Sequence, residues 1–173
     1  MPENNPTPEM FGAIGDGVHN DAPAINACLV KYGKVYFDAK TYVIGQSEPV
    51  PDSDLYRCNT IEFKTNDVLF FGKGIGKTIL KFADNNQLIS KSPINSTRML
   101  SSKWNTNCNN ATIKGITFDG NYDNNKHEGT IHAIRIMGLN TNISECEFIN
   151  FGIGDNGVDE CFQIFLTIAD SLS

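Results

Sequence analysis

Two stretches of the chain repeat one another at a shift of 30 residues, and that echo restricts the fold more than any other feature. Ile113, Ile116 and Phe118 recur as Ile143, Cys146 and Phe148, each set opening after an Asn-containing turn, Asn109-Asn110 and Asn140-Thr141-Asn142. Such a shift falls inside the roughly 20–50-residue window of solenoids, in which every coil buries its apolar face on the next. Short apolar segments of the same kind run through the chain at residues 34–37, 41–44, 60–63, 68–71, 78–82, 111–118, 131–136, 143–148 and 161–166. Between them lie Gly, Asn and Asp turns, and Ile, Phe, Val and Thr outweigh Leu, a strand-forming balance. An antiparallel sandwich also has short strands and many turns, but it has no reason to keep a fixed shift. The expected class is all-β, a stack of parallel coils.

The N-terminal part reads differently. Residues 1–10 hold three prolines and two asparagines and are expected to be an extended lead-in. Gly15-Asp16-Gly17 marks a tight turn, and Asn20 or Asp21 is a good N-cap, with Pro23 in the first helical turn. Ile25, Cys28, Leu29 and Tyr32 then fall on one apolar face of a helix near residues 21–32, which Gly33 ends. That helix is placed as the cover of the first coil, and residues 11–173 are taken as one β-helix domain.

Composition limits the partners. The net charge of −6 opposes a broad nucleic-acid surface, so an acidic polysaccharide would need a local basic spot. No run approaches the roughly 18 apolar residues of a membrane span. The start MPENNPTPEM has no charged or apolar signal region, so no signal peptide is expected there. The five cysteines, Cys28, Cys58, Cys108, Cys146 and Cys161, show neither CxxC pairs nor metal-ligand spacing. Buried thiols are expected, with no metal and no cofactor.

The segment Pro8-Glu9-Met10-Phe11-Gly12-Ala13-Ile14-Gly15-Asp16-Gly17 resembles the opening of pectate-lyase-like β-helix domains, and its Pro-Glu-Met-Phe-Gly start is similar to that of bacteriophage tailspikes. The strands Gly33–Phe37 and Lys40–Ile44 follow in the order that family uses, and residues 109–124 resemble its Ile-x-Gly-Ile-Thr-Phe-Asp-Gly-Asn coil. The resemblance implies a right-handed single-stranded parallel β-helix with a short N-terminal capping helix. It also implies a longer domain than this chain, so the chain is expected to supply the N-terminal coils. Asp16 is read as structural, holding backbone amides in its turn.

Gly72-Lys73-Gly74-Ile75-Gly76-Lys77-Thr78 invites comparison with a phosphate-binding P-loop. Its first glycine stands one residue too close, and a strand rather than a helix is expected after Thr78, so a turn between coils is the better reading. The richest polar cluster is 119–128. Asp119, Asn121, Tyr122 and Asp123 are candidate sugar-binding residues. The segment resembles one in mannuronan epimerases and related uronate-modifying enzymes, which supply a Lys that neutralises the substrate carboxylate and an acid two residues on. Lys126 and Glu128 keep that order, in a loop two residues shorter. Removing the C5 proton of a uronate requires that neutralisation, followed by a base and an acid in reach. Those enzymes carry the pair one coil later in Tyr-Gly-Phe-Asp-Pro-His. The matching stretch here is Phe151-Gly152-Ile153-Gly154-Asp155-Asn156, in which Phe151, Gly154 and Asn156 replace the Tyr, Asp and His. His127 or His132 are the substitute proton carriers on offer. Asp155, Asp159 and Glu160 read as a solvated turn rather than a hydrolase pair.

Two functions follow. The first is the N-terminal part of a carbohydrate-active β-helix of the tailspike depolymerase or lyase type, extracellular or virion-associated, trimeric if tailspike-like, with polysaccharide as its partner. The second is a non-catalytic glycan-binding or structural tail module. The isolated chain is expected to be inactive.

Overall fold

The computed structural model describes residues 5–45, 57–84, 96–102, 107–125, 130–152 and 164–167. Its strands are β1 (Asp16–Asn20), β2 (Lys34–Tyr36), β3 (Thr41–Ile44), β4 (Arg57–Phe63), β5 (Leu69–Phe71), β6 (Ile79–Phe82) and β7 (Ser96–Ser102). Then follow β8 (Thr112–Lys114), β9 (Thr117–Asp119), β10 (Thr130–Met137), β11 (Asn142–Ser144), β12 (Glu147–Ile149) and β13 (Ile164–Thr167). They form three sheets, β1-β3-β6-β9-β12, β2-β5-β8-β11 and β4-β7-β10-β13, here the first, second and third. Every strand pair in them is parallel. From β2 onward each coil gives one strand to each sheet, so the expected parallel β-helix is what the chain forms.

Register carries the core. Ile113 lies opposite Ile143, and Phe118 opposite Phe148 with rings 5.2 Å apart and 7° from parallel. Val35, Phe70, Ile113 and Ile143 make one column, and Tyr42, Leu80, Phe118 and Phe148 another. On the first column the coils are 35, 43 and 30 residues long, and only the last spacing coincides with the echo in the sequence. The apolar runs 111–118 and 143–148 each split into two strands, because Gly115 and Glu145 turn the chain at positive φ. The opposite corner is held by Asp67, Asn110 and Asn140, all in the left-handed region that Asn and Asp tolerate best. There Asn110 Nδ2 donates to Asp67 Oδ1 (2.8 Å), and Asn140 Nδ2 donates to Asn110 Oδ1 (3.0 Å).

Two strands depart from the sequence reading. Residues 16–20, read as a turn and a cap, form β1 on the edge of the first sheet. Residues 96–102 carry no apolar alternation, yet form β7 inside the third sheet, where Arg98, Met99, Leu100, Ser101 and Ser102 are all buried. A strand buried on both sides need not alternate. Its two buried serines bond internally: Ser102 Oγ accepts from the Met137 amide (2.9 Å), and Ser101 Oγ donates to the Ser102 carbonyl (2.9 Å).

The N-terminal end is closed by the helix α1 (Ala22–Tyr32). Ile25, Cys28 and Leu29 face inward as expected, joined by Ala22 and Ala24. Tyr32 does not; it is 37% exposed and meets Phe11 edge-on at 6.0 Å. Asp21 occupies the N-cap position but gives its carboxylate to the amides of Ile14 (2.7 Å) and Gly15 (3.2 Å). Asn20 Oδ1 instead accepts from Ala22 N (3.2 Å) and Gly45 N (2.9 Å). The lead-in also bends earlier than expected, into a 3-10 turn at Pro8–Phe11. That turn is clasped by Glu9 Oε1, which accepts from the buried Tyr42 hydroxyl (2.6 Å) and from Lys40 Nζ (3.0 Å).

Leu29→Asp places an unpaired charge between helix and coil and lowers stability by about 3 kcal/mol or more; an unchanged melting temperature would remove α1 from the role of cap. Glu9 is pushed upward by burial, but the Tyr42 and Lys40 bonds outweigh this and hold its carboxyl below the ordinary value of 4.5. Its contribution is therefore present above pH 4.5 and lost as pH falls through the lower folded value. Glu9→Gln should melt earlier than the parent chain at pH 7 by about 1–2 kcal/mol, and the gap should close in acid; a gap independent of pH would contradict the clasp.

Candidate functional site

The polar cluster picked out in the sequence follows the first sheet. Three turns, after β6, β9 and β12, stack at the C-terminal ends of its strands. Gly120 N donates to the Ile149 carbonyl (2.9 Å) and Tyr122 N to the Asn150 carbonyl (3.0 Å), so the turns after β9 and β12 are direct neighbours.

Within the middle turn the candidate sugar-binding residues differ in what they offer. Asn121 is only 7% exposed and sits at φ 49°, with Nδ2 donating to the Phe82 carbonyl (2.9 Å) and to Asp84 Oδ1 (2.7 Å). Its Oδ1 accepts from Asn124 Nδ2 (3.0 Å). Asp119 Oδ1 accepts from the Asn121 amide (2.8 Å) and from Asn150 Nδ2 (3.0 Å). Buried Asn125 donates to the carbonyls of Ala83 (3.0 Å) and Asn121 (3.1 Å). These amides bind one coil to the next. Tyr122 is half-buried in a 3-10 turn, Tyr122–Asn124, and Asp123 is exposed. Lys126, His127 and Glu128 lie outside the described residues, as do Gly154, Asp155, Asn156, Asp159 and Glu160.

Phe151 and Gly152 are described, directly above Asn121 and Tyr122 by continuation of the β9–β12 register. Phe151 packs against the core. His132 is not brought here; it stands buried on β10 in the third sheet, in register with Arg98.

Sequence reading missed Lys81 and Asp84. Strand alternation puts Lys81 on the outer row of the first sheet, in register with Val43 and Asp119, and its Nζ lies 4.0 Å from Asp84 Oδ1. Together with Gly17, Val18, Val43 and Ala83 they line an open pocket of about 320 Å³. The signal was present in Ile79-Leu80-Lys81-Phe82, where Lys81 interrupts inward Leu80 and Phe82.

Other motifs resolve as structure. Asp16 Oδ1 accepts from the amides of Val18 (2.9 Å) and His19 (3.0 Å), and Oδ2 meets His19 Nδ1 at 2.6 Å. Those bonds, the His19 amide foremost, hold its carboxyl down at about 2. A strand follows the glycine loop at Ile79, and a side chain at Gly72 would strike the Gly115 carbonyl, so the loop serves coil contact. Cys28, Cys108 and Cys146 are free thiols; burial pushes Cys28 and Cys108 up to about 11 and raises Cys146. Cys161 lies outside the described residues.

A family model for rhamnogalacturonase A/epimerase, pectate-lyase-like proteins matches residues 9–167. The chain belongs to this pectate-lyase-like family. Among curated relatives, it is 33% identical over 119 residues to mannuronan C5-epimerase AlgE1 of Azotobacter vinelandii, and 31% identical over 119 residues to AlgE4 of the same organism. Each match covers 66% of this chain but only 8% and 19% of those proteins, so this pectate-lyase-like chain corresponds to a small part of their length. The A-module of AlgE6 from Azotobacter vinelandii superposes with a TM-score of 0.67 at 19% identity, covering 94% of the chain and 40% of that module. The AlgE4 A-module gives 0.52 at 21% identity, covering 92% and 47%. At those identities the superpositions speak for the shared β-helix.

Asn121→Ala removes the amide that joins the Phe82 carbonyl, Asp84 and Asn124, and should cost about 1–3 kcal/mol. A variant with wild-type melting would show that this turn is not held by its amide.

Proposed function

We infer that the chain is the glycan-engaging N-terminal part of a polysaccharide-active β-helix protein, with uronate-containing polysaccharide as its partner. What supports this is the direct stacking of the turn after β9 beneath the turn after β12. In the epimerase resemblance these two turns carry the carboxylate-neutralising Lys and the proton-transfer pair. Lys126 is assigned the first role, with Glu128 as the acid two residues on, on the turn that opens with Asp119, Asn121, Tyr122 and Asp123. Lys81, on the outer face of the same sheet, adds a cation that can face a carboxylate.

The second role lacks its groups. Phe151 has no ionisable proton, and Gly154 and Asn156 cannot act as base or acid near neutral pH. General acid–base catalysis contributes roughly 10²–10⁴-fold per positioned group, so a chain that binds and neutralises without transferring protons has no measurable turnover of its own. Depolymerase or lyase activity of a tailspike-like, trimeric and extracellular or virion-associated assembly then depends on groups other than these. A non-catalytic glycan-binding tail module is the second reading, favoured by the loss of the phenol at Phe151.

Purified chain should retard on immobilised alginate or pectate, and lose that retention on Lys126→Ala or Lys81→Ala, while producing no rise in unsaturated-sugar absorbance. A clear rise abolished by Lys126→Ala would make residues 119–128 a working active site and overturn the binding-only role.

A further inference from the structure

The turns after β9 and β12 are interlocked by two aromatic rings and two glycines. A side-chain carbon at Gly152 would fall on the Tyr122 ring, 2.6 Å from its Cγ, and one at Gly120 would fall 2.5 Å from the Asn150 carbonyl oxygen and 2.7 Å from Cδ1 of the Phe151 ring. Neither glycine has a positive φ; each is required for space alone. The ring of the lower turn therefore rests on the glycine of the upper turn, and the ring of the upper turn on the glycine of the lower. The backbone bonds Gly120 N to Ile149 O and Tyr122 N to Asn150 O tie the same two turns together. Because the atoms that would clash include the root of the tyrosine ring, the ring cannot step aside by rotating its far end.

We propose that Tyr122 is the positioning residue of the candidate site, its ring fixing the spacing between the turn after β9 and the turn after β12 across which a uronate chain is held. This rests on the functional reading above and deepens it: affinity depends on the seated ring, not on the tyrosine hydroxyl. A ring without its hydroxyl keeps the spacing. Loss of the ring, or a methyl group at 152, changes it. Displacing a binding constellation by about 1 Å is enough to cost one or two orders of magnitude.

The test combines titration of oligomannuronate and oligogalacturonate with thermal melting, for the parent chain and for Tyr122→Phe, Tyr122→Ala, Gly152→Ala and the last two combined. Binding is measured at a temperature where near-ultraviolet dichroism shows each variant folded. Tyr122→Phe should bind within about twofold of the parent. Tyr122→Ala and Gly152→Ala should each lose about tenfold or more, and the double variant no more than the worse single one. Tyr122→Phe falling as far as Tyr122→Ala would make the hydroxyl the contact and overturn the proposal, as would additive losses. If the parent chain binds neither oligomer, the functional reading fails. The interlock is then decided by melting, where coupling between positions 122 and 152 supports it and additivity refutes it. Should Gly152→Ala not fold, comparison of Tyr122→Phe with Tyr122→Ala decides it.

Discussion

Each coil of this protein is unstable without its neighbour, and in-register parallel stacking is the constraint on which everything else depends. A shift of one residue would carry Tyr42, Leu80, Phe118 and Phe148 to the outside together. The corners exist to prevent that shift. Asp67, Asn110 and Asn140 turn the chain at the same height in successive coils, and their side chains bond to one another. Gly72 and Gly115 let two coils approach where no side chain fits. The core therefore supplies the cohesion, and polar corner residues supply the register.

That division explains why the polar cluster after β9 is so easily taken for chemistry. Asp119, Asn121 and Asn125 have the composition of a sugar-binding loop, yet their amides and carboxylate are occupied by the coils below and above. In a solenoid, a turn that reads as a functional motif is first of all a joint. Functional groups have to be sought among residues that the joint leaves outside, such as Asp123 and the outer-row Lys81.

Legibility followed the same physics. The 30-residue echo was visible because Ile113 and Ile143 are followed by the same strand, corner and strand, whereas the spacings of 35 and 43 residues set the equivalent pairs at shifts that do not recur. β7 was invisible because buried Arg98, Ser101 and Ser102 break any alternation. Asp21 was legible as a cap position but not as the anchor of the preceding turn, since that partnership is made by tertiary approach of Ile14 and Gly15. The candidate residues were found through resemblance. Lys81 was overlooked because a lysine between inward Leu80 and Phe82 marks an outward position but names no neighbour until the coil above and the coil below place Asp119 and Val43 beside it.

The corner amides also give the stack a direction. Asn110 donates downward to Asp67, Asn140 to Asn110, Asn121 to Asp84 and Asn150 to Asp119, always from the later coil to the earlier. An arriving coil thus finds these side-chain acceptors in place, while the backbone bonds at the same corners run the other way, Asp67 N and Asn110 N donating to the Asn109 and Leu139 carbonyls of the later coil. Nearest-neighbour architectures can nucleate anywhere in principle. Here the corner side chains favour the helix-sealed end as the template, the end that synthesis delivers first. The corner side chains are vectorial, although the backbone ladder beside them runs both ways.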